Sequence, residues 1–180
     1  NYETINMTYT GIQSAAIPIQ LAAKASDTAA MKASFVHLED AMQCYEEIYA
    51  PYAFDRVGYC LSSFNSGAME HATNITYMRA AVNGTTTYET LMAHELSHHW
   101  WGNLVTCETE GDMWLNEGWA SFSEALFIEF VYGEDAYKNY SRDNHDNVLR
   151  LIHHNDGDYY PVSGVPSDKV YSSTVYDKGA

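Results

Sequence analysis

The feature that most restricts how this chain can fold is a pair of histidines four residues apart, in the segment His94-Glu95-Leu96-Ser97-His98. Residues four apart on a helix share a face at a spacing of about 6 Å, so both imidazoles can reach one metal ion if the segment is helical. The flanks agree with a helix over Leu91 to Trp101. Thr86 and Glu89 fit a capping box, and Gly102-Asn103 supplies a left-handed stop. Glu95 is rotated about 100° from His94, where its carboxylate can reach a water on the metal without filling a ligand position. A catalytic zinc needs a third protein ligand and an open fourth position. Glu117, nineteen residues after His98 in the first turn of the next helix, is the natural third ligand if residues 104–112 return the chain antiparallel to the first helix. With 8 His and 13 Glu in 180 residues, chance yields on the order of a few hundredths of a match to the five-residue pattern alone.

The remaining punctuation gives an α+β order, a small sheet followed mostly by helices. Residues 1–26 read as strand and loop. Residues 27–84 read as a helix from Thr28 to Ile48 capped by Asp27 and ended near Pro51, a strand from Arg56 to Phe64, a second from Met69 to Met78, and a turn at Asn83-Gly84. Residues 85–180 read as helical, with further helices over Met113 to Tyr132 and Asp135 to His153, and a capping box at Thr174 and Asp177. The sequence stops just as that last helix begins, which points to one catalytic-domain fragment of a longer protein.

Composition removes other classes. Nine Lys and Arg stand against 24 Asp and Glu, a net charge of −15, so no nucleic-acid partner is expected, because polyanions bind through many basic side chains. No run of about 18 apolar residues occurs, so no membrane span is expected in this chain, and Asn1 opens it with no signal-peptide pattern. Cys44, Cys60 and Cys107 are odd in number and widely spaced, and read as free or buried thiols. All four Trp fall in the two helices expected to carry the metal site and read as core around it. His99 points away from His98 and reads as a packed neighbour. His153-His154 with Asp156 and Asp158 reads as a polar turn. Glu124, seven residues after Glu117 and so near the same helix face, can orient a metal-binding histidine through its second ring nitrogen. Four Asn-x-Ser/Thr matches carry no information by themselves.

Three ordered motifs spanning residues 67 to 179 resemble the gluzincin aminopeptidases, the family of aminopeptidase N and leukotriene hydrolase. They are Gly67-Ala68-Met69-Glu70-His71, the His94/His98 segment with Trp114-Leu115-Asn116-Glu117-Gly118, and Tyr176-Asp177-Lys178-Gly179. The resemblance implies a thermolysin-like catalytic domain and one zinc ion per chain on His94, His98 and Glu117, with Glu95 as general base and acid. It also implies that Glu70 anchors the free α-ammonium of a peptide substrate. Tyr176 would donate to the developing oxyanion, and Tyr171 would be a second tyrosine near the site. Taken without the family, Glu70 reads as a strand-edge charge and Tyr176 and Tyr171 as packing. Gly67 and Ala68 are small enough for a peptide backbone to lie along the strand, and Met69 beside them would also contact the substrate. His71 departs from the family's usual Asn. The expected partners are peptides with a free amino terminus, together with the family's β-rich amino-terminal and helical carboxy-terminal domains of the same protein. The competing readings are an endopeptidase or an epoxide hydrolase on the same fold, and an inactive peptide-binding module.

Overall fold

The computed structural model describes residues 1–13, 16–64 and 67–180. Strands β1 (Tyr2–Thr10) and β2 (Ala16–Lys24) pair antiparallel, with Tyr2 opposite Lys24 and Thr10 opposite Ala16. Parallel to β2 lies β3 (Val57–Ser62), and parallel to β3 lies β5 (Ile75–Met78); β4 (Ala68–Met69) returns antiparallel to β5. The sheet order is β1-β2-β3-β5-β4, so β4 stands at an edge. The inner strands are the most apolar. Ile19, Leu21, Tyr59, Leu61, Ile75 and Tyr77 are essentially inaccessible to solvent, each contributing about 1.5 to 3 kcal/mol of hydrophobic stabilisation for a wholly apolar side chain.

The crossover from β2 to β3 holds two helices, α1 (Thr28–Ser34) and α2 (Leu38–Ile48), where the periodicity predicts one. The chain turns at residues 35–37, with the Leu38 amide donating to the Phe35 carbonyl at 3.1 Å. Met31, Phe35, Leu38, Met42 and Tyr45 are all buried, so the apolar stripe runs through the break unchanged. The turn lets Phe35 drop edge-on between Tyr59 and Tyr77, at 4.8 and 5.3 Å between ring centroids. It also brings His37 Nδ1 within 2.7 Å of Glu89.

Asp27 does not cap a helix. Its carboxylate accepts from Arg79 Nε at 2.6 Å and Nη2 at 2.8 Å, tying the start of α1 to the end of β5. These bonds hold the Asp27 carboxyl at about 2, below its ordinary 3.8. Because the folded value is depressed, the stabilisation is complete above about pH 4 and lost as pH falls through about 2. Unfolding by urea should therefore show a constant gap between the unmodified chain and Asp27→Asn down to about pH 4, narrowing below it. A gap independent of pH between 6 and 2 would contradict this pairing.

The strand expected over Met69 to Met78 is instead the β4–β5 hairpin. Thr73 takes a left-handed backbone (φ 65°), and its carbonyl occupies the space that a Cβ on Gly58 of β3 would need, so only glycine fits there.

The helix expected over Leu91 to Trp101 is α3 (Glu89–Ser97), followed by tighter turns in which the His99 amide donates to the Leu96 carbonyl and the Trp100 amide to the Ser97 carbonyl. No capping box forms, because the Glu89 carboxylate is bound by His37 and the Tyr132 hydroxyl. The next predicted helix divides into a 3-10 stretch, Glu110–Leu115, and α4 (Glu117–Tyr132), which stops at Gly133. Trp100 and Trp101 thus follow α3, Trp114 lies in the 3-10 stretch, and only Trp119 is within a helix proper; Trp100 is buried and the others half-buried. The following helix divides into α5 (Glu134–Arg150) and α6 (Ile152–Asp156), with Gly157 left-handed after it. The last, α7 (Ser173–Tyr176), spans four residues without the expected cap, since Thr174 bonds to Asp156. Among the described residues no helix is long and apolar enough to cross a membrane.

Candidate active site

Helix α3 is buried nearly all round, with Met92, Ala93 and Leu96 inaccessible in the core. Two tyrosines from the core fix its height. The Tyr59 hydroxyl donates to the Met92 carbonyl at 2.8 Å, and the Tyr45 hydroxyl sits between the carbonyls of Ala93 (3.2 Å) and Ser123 (3.0 Å), so it bridges α3 to α4. A buried hydroxyl needs an acceptor, and here the acceptors are the backbone carbonyls just before His94 on α3 and just before Glu124 on α4.

His94 and His98 keep the one-turn relation although His98 follows the last α-helical residue; its amide donates to the His94 carbonyl at 3.3 Å. Their rings lie 4.8 Å apart at 81°. Glu117, the first residue of α4, brings one carboxylate oxygen within 3.3 Å of His94 Nε2 and 3.4 Å of His98 Nε2. One donor atom from each of the three lies within 4.8 Å of the other two, and all three residues are buried.

The other ring nitrogens test whether a cation fits. His94 Nδ1 lies 2.9 Å from Glu124 Oε1, and His98 Nδ1 lies 2.9 Å from the Trp101 carbonyl. A carboxylate and a carbonyl only accept, so both Nδ1 atoms carry protons and each ring turns its Nε2 toward Glu117, where that nitrogen can bind a metal in exchange for any proton it holds. The Tyr140 hydroxyl donates to the second oxygen of Glu124 at 2.6 Å, which keeps that carboxylate turned toward His94. Two imidazole lone pairs and a carboxylate, all buried, form a donor set suited to a divalent metal such as zinc.

The charges around the set are uneven. Burial disfavours a charge on His94, but its bonds to Glu117 and Glu124 outweigh that and lift it to about 10. Burial works against the Glu117 charge too, and His94 and His98 hold it down to about 2. Among the described residues Glu95 has no such bonds. Burial pushes it up to about 7 against the pull of His94 and His98, with Glu70 adding to the rise. Glu70, Glu95 and His98 also each place one donor atom within 4.8 Å of the others, so two carboxylates converge beside the histidine pair.

One cavity of about 710 Å³ contains all of this. Its lining includes every site residue expected from the sequence: Gly67, Ala68, Met69 and Glu70 at the sheet edge, His94, Glu95 and His98 from α3, Glu117 and Glu124 from α4, and Tyr171 and Tyr176 from the end of the chain. Tyr176 stacks over His94 at 6.2 Å and 14°. Burial and Glu117 push its hydroxyl far above the ordinary tyrosine range. Tyr171 is 70% exposed at the rim, so it is not the packed side chain that the alternative reading supposed. His71 is exposed, with Nδ1 3.2 Å from the Thr76 hydroxyl. His99 is buried and bonded to the Tyr52 hydroxyl at 2.7 Å, and burial lowers it to about 4.

Phe64, Thr90 and Leu91, which lie outside the three motifs, also line the cavity. Thr90 and Leu91 stand four and three residues before His94, so their helical spacing was a readable signal. The Asn103 side-chain amide donates to the Glu70 carbonyl at 2.7 Å.

The chain matches the model of the peptidase family M1 domain over residues 34–180. It belongs to peptidase family M1. Rabbit (Oryctolagus cuniculus) aminopeptidase N is 40% identical to this M1 chain over 86 residues, 43% of the chain and 9% of the relative. Leucine aminopeptidase 2 of Chaetomium globosum is 30% identical over 162 residues, 83% of the chain and 26% of the relative. The M1 chain thus spans about a tenth to a quarter of the length of these relatives. A Deinococcus radiodurans M1 zinc metallopeptidase, solved with a Tyr-Ser-Ala substrate, shares its fold at a TM-score of 0.82 and 21% identity, over 99% of this chain and 38% of that one.

Proposed function

We propose that this chain carries the catalytic machinery of a zinc-dependent aminopeptidase that hydrolyses the amino-terminal bond of peptides, on a thermolysin-like domain. The observation that carries the proposal is that one cavity gathers the buried His94, His98 and Glu117 donors, the neighbouring Glu95 and Glu70 carboxylates, and the Tyr176 hydroxyl. His94, His98 and Glu117 would hold the ion, with Glu124 fixing the tautomer of His94. A bound zinc supplies Lewis-acid polarisation of a carbonyl and a more acidic water. Glu95, with its carboxyl lifted to about 7, suits a group that takes a proton near neutrality and returns it to the leaving amine. Tyr176 keeps its proton and so remains a donor to the oxyanion.

Glu70 selects the amino terminus. Glu70 directly follows the edge strand β4, and a substrate extending β4 as a further strand would bring its α-ammonium beside the converging Glu70 and Glu95 carboxylates. The charge-assisted bond is worth about 1.5 to 3 kcal/mol, roughly ten- to a hundredfold. Glu70→Ala should cost about that factor in kcat/KM on free aminoacyl substrates while zinc content stays unchanged.

The deciding experiment pairs zinc stoichiometry with a panel of fluorogenic aminoacyl substrates and matched acetylated peptides. The proposal expects one zinc per chain and cleavage of the free forms only. Equal cleavage of acetylated peptides would make this an endopeptidase, and turnover confined to epoxides a small-molecule hydrolase. Zinc binding without turnover of any of them would leave a peptide-binding module.

A further inference from the structure

Tyr176 ends a helix of a single turn, and one turn does not hold itself together, because nucleation fixes several residues for very few hydrogen bonds. Whatever aims its hydroxyl must therefore come from outside α7. At the far end of that turn the preceding Ser172 makes no side-chain cap. The donors there are taken by a residue from another helix. Asp156, the last residue of α6 and 7% exposed, accepts from the Thr174 amide at 2.7 Å, the Thr174 hydroxyl at 2.6 Å and the Ser173 amide at 3.3 Å. Its own carbonyl accepts from Lys169 Nζ at 2.7 Å, so the loop between α6 and α7 is tied to the same residue.

We propose that Asp156 is a positioning residue for Tyr176, reaching across 17 to 18 residues of sequence to cap α7 and so setting where the hydroxyl points into the cavity. This rests on the role given to Tyr176 above. The arrangement clamps α7 at both ends. Beyond Tyr176, a Cβ on Gly118 of α4 would lie 2.8 Å from the Gly179 carbonyl oxygen, so the segment following Tyr176 runs against the turn that carries Glu117. Between the two ends Val175 is buried against Val165 and Val170. The low carboxyl of Asp156 fits the same picture, since the Thr174 and Ser173 donors outweigh the effect of its burial.

Asp156→Asn keeps the shape of the side chain but turns one acceptor into a donor facing donors. In the zinc-loaded protein it should lower kcat by on the order of 10- to 100-fold, the scale of a misplacement near 1 Å, with KM within about twofold and zinc content unchanged. Combined with Tyr176→Phe, it should lower kcat no further than Tyr176→Phe alone. A structural role would reduce kcat by the same factor in both backgrounds, and that result overturns the proposal. Hydrogen exchange provides a readout independent of turnover: Asp156→Asn should speed exchange at residues 173–176 and leave α3 unchanged. Unchanged exchange at 173–176 overturns the positioning role whatever the kinetics. If Tyr176→Phe alone leaves kcat intact, the role of Tyr176 fails, and with it the proposal that Asp156 serves it, while the exchange data separately report whether the clamp exists.

Discussion

Glu95→Gln is expected to retain about one zinc per chain and to lose on the order of 10²- to 10⁴-fold in kcat, the usual contribution of a positioned general base. Gln has the same shape and length, so neither the packing of α3 nor the reach of the side chain changes. Only the capacity to take and return a proton is lost. The variant also separates two ligand sets that the geometry allows. His94, His98 and Glu117 lie within 4.8 Å of one another, but so do Glu70, Glu95 and His98. If the ion sat in the second set, Glu95→Gln would remove a charged ligand and the bound zinc would fall with the activity. The orientation of the rings favours the first. Glu124 and the Trp101 carbonyl hold the two Nδ1 protons, which turns both Nε2 atoms toward Glu117. Metal analysis alongside steady-state kinetics decides: zinc kept and turnover lost supports the base, zinc lost reassigns Glu95 as a ligand, and turnover kept rejects both roles.

The site was legible in the sequence to the extent that helical spacing alone defines it. His94 and His98 one turn apart, Glu124 two turns after Glu117, and Thr90 and Leu91 one turn before His94 all follow from 3.6 residues per turn. What the spacing could not show is where each polar side chain spends its hydrogen bonds. Asp27, Glu89 and Thr174 each stand where a local cap is expected, and each is claimed by a distant partner: Arg79, His37 with Tyr132, and Asp156. A charged or multiply bonded tertiary partner outcompetes a single local amide. Asp156 read as part of a polar turn for the same reason, since its partners lie 17 and 18 residues away. Helix breaks were hidden differently. At residues 35–37 the buried stripe continues through the turn, so periodicity is blind to it, and in the β4–β5 hairpin a left-handed Thr73 carries a reversal that glycine or asparagine would have signalled.

Tyr176→Phe should cost about 2.7 to 4 kcal/mol in the transition state, roughly 10²- to 10³-fold in kcat, with KM little changed. A donor to a developing oxyanion is useful only if it still holds its proton at working pH. Burial and the Glu117 carboxylate push the Tyr176 hydroxyl well above the ordinary tyrosine range, so it keeps its proton near neutral pH. The ring itself is held by stacking on His94 and by the short helix α7, contacts that Phe preserves. The substitution therefore removes one O–H and little else. Because the ground-state carbonyl carries far less charge than the oxyanion, the loss falls on kcat rather than on binding. A rise in KM with kcat unchanged would instead make Tyr176 a substrate contact, and loss of zinc would mean that its ring, through His94, supports the metal site rather than the reaction.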